Sequence, residues 1–234
     1  LELLKMEEEN ETRRILYELT VMVAENREVF EADKRLIEKL DYIFAKGKLS
    51  AAMEAKEPQI NMERNIRIRN GRHPLMSREH AVPLSFELGD RGNGVVITGP
   101  NTGGKTVTMK TVGLFCIMAQ CGLHVPCEEA SLCMNNQVLC DIGDGQNISE
   151  NLSTFSAHIT NVLDILKKAG PESLVLLDEL GSGTDPAEGM GIAIAILESL
   201  RQCGCLFLVT THYPEVKGYA EAADGVENAR MAFD

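Results

Sequence analysis

The chain has 234 residues, 44% hydrophobic and 25% charged, with a net charge of −12 and an isoelectric point of about 4.9. Such a length buries a substantial core in one or two globular domains. The 23 basic residues are outnumbered by 35 acidic ones and dispersed, so this chain alone is expected to bind duplex nucleic acid weakly at best.

No apolar run reaches the ~18 residues of a membrane span, and the basic–apolar–small order of a signal peptide is missing. Starting at Leu1, the chain reads as a piece of a longer protein. Its seven cysteines (116, 121, 127, 133, 140, 203 and 205) form no CxxC pair, which predicts reduced thiols in a cytoplasmic protein, many of them in the core. Cys203 and Cys205 read as alternate residues of an entering strand rather than as metal ligands.

Residues 1–58 predict a helical segment. Ile15, Leu19, Met22 and Val23 share one helical face, as do Leu36, Ile37, Leu40, Ile43 and Phe44, with Gly47 and Pro58 as the strong breakers. A helical hairpin packed on its neighbour is the simplest reading; a free-standing coiled coil would need a heptad that does not persist. From 59 onward "NIRIRN" and "PLSFELG" alternate with period two, and "NGVVITG" is a short buried strand. Helix-like stretches then alternate with the apolar strands "SLVLLDE" and "CLFLVTTH". The expected fold class is α/β, a mostly parallel sheet flanked by helices and preceded by the helical segment, with the domain division at 58/59.

"GPNTGGKT", residues 99–106, fits the P-loop pattern G-x-x-x-x-G-K-[ST], with the strand "VVIT" before it and a helix-compatible run after it. Gly99, Gly103 and Gly104 allow the backbone to approach phosphate, and Pro100, Asn101, Thr102 and Val107 complete the nucleotide-binding stretch. Lys105 supplies charge to the β- and γ-phosphates, and Thr106 a hydroxyl for Mg²⁺. "LVLLDELGSGTDP" ends an apolar strand in Asp178, suited to the Mg²⁺ shell, and Glu179, suited to orient or deprotonate an attacking water. The strand "LFLVTTHY" ends at His212, read as a γ-phosphate sensor. The cofactors implied are ATP and Mg²⁺.

The spacers narrow the class of ATPase. No NKxD base reader is present, and Arg201 and Arg230 lack a recognisable finger context. Asp-Glu followed by a Gly-rich turn and a His-terminated strand fits ABC-type enzymes, which place a serine-bearing signature helix upstream of the acid pair and use it in trans. "NLSTFSAHIT", residues 151–160, lies there. Its Ser153 and Thr154 also suit an ordinary helix cap, and the two readings are compatible. No LSGGQ is present, which argues against a transporter subunit.

Together, "TGPNTGGKT", "NLSTFSAHIT", "LLDELGSGTDPAEG" and "TTHYPEVKGYA" resemble the ATPase domain of MutS proteins. "DIGDGQNISENLSTFS", "GTDP" and "GVENARMAFD" resemble its second bacterial branch, MutS-II. The resemblance is strong over residues 60–234, and residues 1–57 look like helices that join the family's core to its ATPase. It implies that Asn101 assists at the γ-phosphate and that Arg72, His73 and Val82 border the adenine. Asp144 and Gln146 would act as a Q-loop, Ser153, Thr154 and Phe155 would reach the partner's nucleotide, and Gly183 to Asp185 would line the dimer seam.

The resemblance further implies a homodimeric ATPase acting on branched DNA, in recombination suppression, or on stalled ribosomes. Those contacts would be made through a clamp and a Smr nuclease domain that are not in this chain. Dimerisation of this piece is expected to be weak. Two other readings share the chemistry: a nucleotide-gated dimerisation module with little turnover, and an SMC- or ABC-type ATPase head.

Overall fold

The computed structural model describes residues 1–99, 104–143 and 151–231, and for 151–155 the backbone alone. The chain divides into two compact units, Leu1–Leu49 and Ser50–Asp234.

The first unit is helical. α1 (Glu2–Glu25) and α2 (Arg27–Ala52) are separated by Asn26, whose N–H still reaches the Val23 carbonyl and whose own carbonyl accepts from Val29 and Phe30. One non-helical residue is too short a connection to fold α2 back along α1, so the expected hairpin does not form. Ile15, Leu19, Leu36, Ile37 and Phe44 are all exposed.

The second unit begins before residue 59, because residues 50–57 already bond into it. Lys56 and Val125 exchange N–H···O bonds of 2.9 Å in both directions, and Ser50 Oγ lies 2.8 Å from His124 Nδ1. A four-stranded sheet follows from β1 (Gln59–Asn61), β2 (Ile66–Gly71), β3 (Leu84–Leu88) and β5 (Glu129–Cys133), in the order β1-β5-β2-β3. Period-two alternation in β2 and β3 buries Ile66, Ile68, Phe86 and Leu88 and leaves Arg67 and Glu87 in water.

The other sheet is parallel throughout. β4 (Gly94–Thr98), β6 (Gln137–Asp141), β7 (Ser173–Leu177), β8 (Leu206–Thr211) and β9 (Val226–Arg230) stand in the order β6-β7-β8-β4-β9. Parallel neighbours need crossovers, supplied here by α3 (Lys105–Gln120), α4 (Asn151–Lys168), α5 (Pro186–Cys203) and α6 (Pro214–Ala222). Alternate residues of each central strand go to opposite faces. Val95, Ile97, Leu174, Leu176, Leu206 and Leu208 pack with Met109, Val112 and Phe115 of α3 and with the four-stranded sheet. Val96, Val175, Leu177, Phe207 and Val209 pack with α4, α5 and α6. β7 and β8 are buried at every position, which explains the apolar runs Leu174–Leu177 and Leu206–Val209.

The tightest point of this packing is where β4 meets β8. A Cβ added to Gly94 would lie 2.0 Å from Phe207 Cζ and 2.3 Å from Cε2, and Phe207 is fully buried with no room to withdraw. Gly94→Ala should therefore cost about 2 kcal/mol of stability through overpacking. A urea titration would show it, and an unchanged midpoint would mean the strands part more easily than this packing implies.

The cysteines are all free; Cys116, Cys127, Cys133 and Cys205 are buried. Burial pushes the Cys127 thiol up to about 11 and that of Cys205 up to about 12. Cys203 and Cys205 are not alternate residues of a strand. Cys203 closes α5, Gly204 caps it at φ 73°, and Cys205 precedes β8. No helix among the described residues is long and apolar enough to cross a membrane.

Candidate nucleotide site

The strand order brings the separate sequence motifs together. β8 lies between β4 and β7, with Thr98 opposite Thr211 and Leu177 opposite Val209. The P-loop, the acid pair and His212 therefore all leave the same carboxyl edge of the sheet, where open α/β folds bind ligands.

At the β4 end, Gly99 has φ 138° and Gly104 has φ 75°, and Gly104 serves as the left-handed N-cap of α3. At φ 138° Gly99 holds a backbone angle that L side chains rarely adopt, and among the described residues a Cβ there would meet nothing within 4 Å. Lys105 is buried at 2% exposure and its Nζ donates to the Gly99 carbonyl. Burial pushes the Lys105 ammonium down, while the carboxylates of Glu179 and Asp178 pull it partly back. Val107 is 41% exposed, and its carbonyl accepts from Thr111 Oγ1 at 2.7 Å. Pro100, Asn101, Thr102 and Gly103 lie outside the described residues.

A chain of hydrogen bonds joins the start of α3, the end of β7 and β8. Thr106 Oγ1 donates to Asp178 Oδ2 at 2.7 Å, and Thr210 Oγ1 donates to Asp178 Oδ1. The same Thr210 oxygen accepts from the Glu179 N–H at 2.9 Å, and Leu180 N–H reaches the Thr210 carbonyl at 2.9 Å. Glu179 has φ 49°, a left-handed conformation that costs a non-glycine residue energy and is found disproportionately at working sites. Asp178 is 6% exposed, whereas Glu179 is half-buried at the mouth of the site.

The donor set suits Mg²⁺. One hydroxyl and one carboxylate oxygen within hydrogen-bond reach match a small hard cation that keeps several waters and shares the rest of its shell with phosphate. Among the described residues no group of three or more His, Cys, Asp or Glu could hold a metal by itself.

His212 is exposed at the β8 edge, its ring 4.3 Å from that of Tyr213 and inclined by 38°. Tyr213 is buried, and its hydroxyl donates to the Gly181 carbonyl at 3.0 Å, tying the His212 turn to the loop after Glu179. In that loop Asp185 caps α5, accepting from Ala187 N–H at 2.9 Å and Glu188 N–H at 3.4 Å. Arg201 forms two bonds to Glu198, of 2.9 and 2.7 Å, so it is held within α5.

Near α3, burial and the Lys110 charge together lower the His73 imidazole. Arg72 bonds through its N–H to the Pro126 carbonyl at 2.8 Å, and Val82 is 85% exposed. Asp144 and Gln146 lie outside the described residues, as do the side chains of Ser153, Thr154 and Phe155. The backbone is helical from Asn151, which puts Ser153 and Thr154 inside the first turn of α4 rather than at its cap.

Motif reading missed Thr210, which holds both acids at once. The available signal was a polar pair, Thr210–Thr211, fully buried in an otherwise apolar central strand. It also missed Asp141 at the end of β6. Burial would raise the Asp141 carboxyl, but contacts from His158 and Asn161 outweigh it and hold the group below its ordinary range.

A parallel sheet whose β4 leads to Gly99, with left-handed Gly104 opening α3, an acid pair two strands away and a threonine bridge between, defines a P-loop ATPase-type domain. MutS domain V matches residues 95–234. The chain is 50% identical over 232 residues to the endonuclease MutS2 of Alkaliphilus oremlandii, and 49% identical over 232 residues to that of Clostridioides difficile. It is 49% identical over 231 residues to the endonuclease MutS2 of Halalkalibacterium halodurans. These matches cover 98–99% of this chain and 29% of each relative. The chain belongs to the MutS family, in its MutS2 branch.

Proposed function

We propose that this chain is the ATP-binding and ATP-hydrolysing part of a MutS2-type protein, and that it works as a homodimer. The observation that carries this reading is the continuous bonding of Thr106, Asp178, Thr210 and Glu179 between the start of α3, β8 and the end of β7. Lys105 and the N–H groups at the start of α3 receive the phosphates. Bound Mg²⁺, held by Thr106 and through Asp178, would neutralise charge on the β- and γ-phosphates. Glu179 orients the attacking water and accepts its proton as the γ-phosphorus–oxygen bond to ADP breaks. His212 contacts the γ-phosphate, and α4 offers Ser153 to the partner's nucleotide.

For the whole protein we propose action on branched DNA, with stalled ribosomes as a second substrate. The family membership supports this, and the net charge of −12 on this chain favours nucleic-acid contacts made by other parts of the protein.

The test is the ATPase rate per molecule across a wide range of protein concentration, with Ser153→Ala and Glu179→Gln proteins mixed in parallel. Composite sites predict a rate that climbs with concentration. They also predict recovery to about a quarter of the wild-type rate on mixing, since half the dimers are mixed and each keeps one intact site. A flat rate from a protein that sizes as a monomer, with no recovery, would reduce "NLSTFSAHIT" to a structural helix start. Tight ATP-dependent pairing with negligible turnover would favour the dimerisation module instead.

A further inference from the structure

α4 carries a polar cluster that the P-loop chemistry does not use. His158 Nδ1 pairs with Asp141 Oδ2, and Asn161 Nδ2 donates to Asp141 Oδ1 at 2.7 Å. His158 and Asn161 are three residues apart, so they share one face of the helix, and Asp141 is the last residue of β6. The cluster is largely sheltered, with His158 and Asp141 side chains at 22% and 17% exposure. His158 Nε2 and Asp141 Oδ2 are both shut off from solvent with no hydrogen-bond partner among the described residues, so His158 and Asp141 meet as an ion-pair contact. Sheltering a carboxylate and an imidazole from water costs desolvation, and their retention calls for a reason beyond filling space.

The cluster's position supplies the reason. The Asp141 carbonyl accepts from the Asp178 N–H at 3.0 Å, so β6 ends beside the acid that Thr106 and Thr210 hold. One carboxylate thus joins the metal-side acid, through the backbone, to the helix whose first turn carries Ser153. Among the described residues the other core contacts of α4 are apolar: Val162 and Ile165 pack against the sheet and α5, which is less directional than a polar contact. The Asn161 hydrogen bond and the His158 contact at Asp141 add that direction and set the rotation and axial position of α4.

We propose that Asp141, His158 and Asn161 are positioning residues that set the rotation and axial position of α4, and so govern what one subunit offers to its partner's nucleotide rather than to its own. This rests on the composite-site reading above. A misplacement of about 1 Å at such a contact is enough to cost roughly 100-fold in rate.

The test uses the 234-residue chain with MgATP. His158→Ala should bind ATP like wild type when dilute, because its own P-loop is untouched, yet turn over roughly 10- to 100-fold more slowly at high protein concentration. His158→Asn, whose amide nitrogen takes the place of Nδ1, should recover most of the rate; His158→Gln, with its nitrogen at the Nε2 position, should not. Mixing His158→Ala with Glu179→Gln should restore turnover, since the intact Glu179 of one subunit then meets the intact α4 of the other.

Loss without recovery on mixing, or Asn no better than Ala with a matching fall in thermal stability, would make the cluster a structural brace and overturn the proposal. Full activity of His158→Ala would overturn it equally. If the Ser153→Ala and Glu179→Gln pair itself fails to complement, the composite-site reading falls and takes this proposal with it. Complementation by that pair without complementation by His158→Ala would sink this proposal alone.

Discussion

Glu179→Gln is expected to bind ATP as well as the wild type and to hydrolyse it about 100- to 10,000-fold more slowly, the range that a positioned general base contributes. The amide is isosteric with the carboxylate. The backbone that aims the side chain is also unaffected, because the Glu179 N–H bonds to Thr210 and the left-handed φ of 49° belongs to the main chain. What is lost is the group that can accept the water's proton. Single-turnover hydrolysis with saturating protein separates this from slow product release. Near-normal turnover would remove Glu179 from the chemistry and reassign the strained backbone to shaping the loop.

Lys105→Ala should act at the opposite step and abolish measurable nucleotide binding. Lys105 is buried and its Nζ already rests on the Gly99 carbonyl. The ammonium is therefore already held beside Gly99, with little side-chain entropy left to lose. Each charge-assisted bond to a phosphate oxygen contributes about 1.5–3 kcal/mol, and two of them correspond to at least about a 100-fold loss in affinity. Removing a buried ammonium also relieves its desolvation, so the variant should unfold near the wild-type temperature. Calorimetry or a fluorescent nucleotide would measure the affinity. Retained micromolar binding by a folded variant would overturn the assignment of the P-loop.

The two variants together separate binding from turnover. If Lys105→Ala loses binding and Glu179→Gln keeps it, the site is hydrolytic in the way proposed. If both lose binding, the integrity of the P-loop depends on the acid pair, which the electrostatic contact of Glu179 and Asp178 with Lys105 would then explain.

By itself the sequence determined the phosphate-binding turn, the acid pair and the parallel α/β class. Each of these is written in local terms. Glycines stand where φ is positive, apolar strands are uninterrupted because they are buried on both faces, and helices take up between them. It also determined the family, because several motifs of low chance frequency stand in one order.

Only the tertiary structure decided which of these elements touch. β8 enters the sheet between β4 and β7, although it follows both in the chain, and that insertion turns Thr210 from an unremarked strand residue into the bridge between the two acids. The pairing of Asp141 with His158 likewise joins the end of a strand to a helix 17 residues on, through a contact that no periodicity encodes. The helical segment shows the converse. Its apolar faces read as a hairpin, but a turn needs residues to make it, and Asn26 alone supplies none to spare. Local propensity is carried by each residue and its near neighbours, whereas contacts between distant residues depend on strand order, which only the packing of the whole sheet selects.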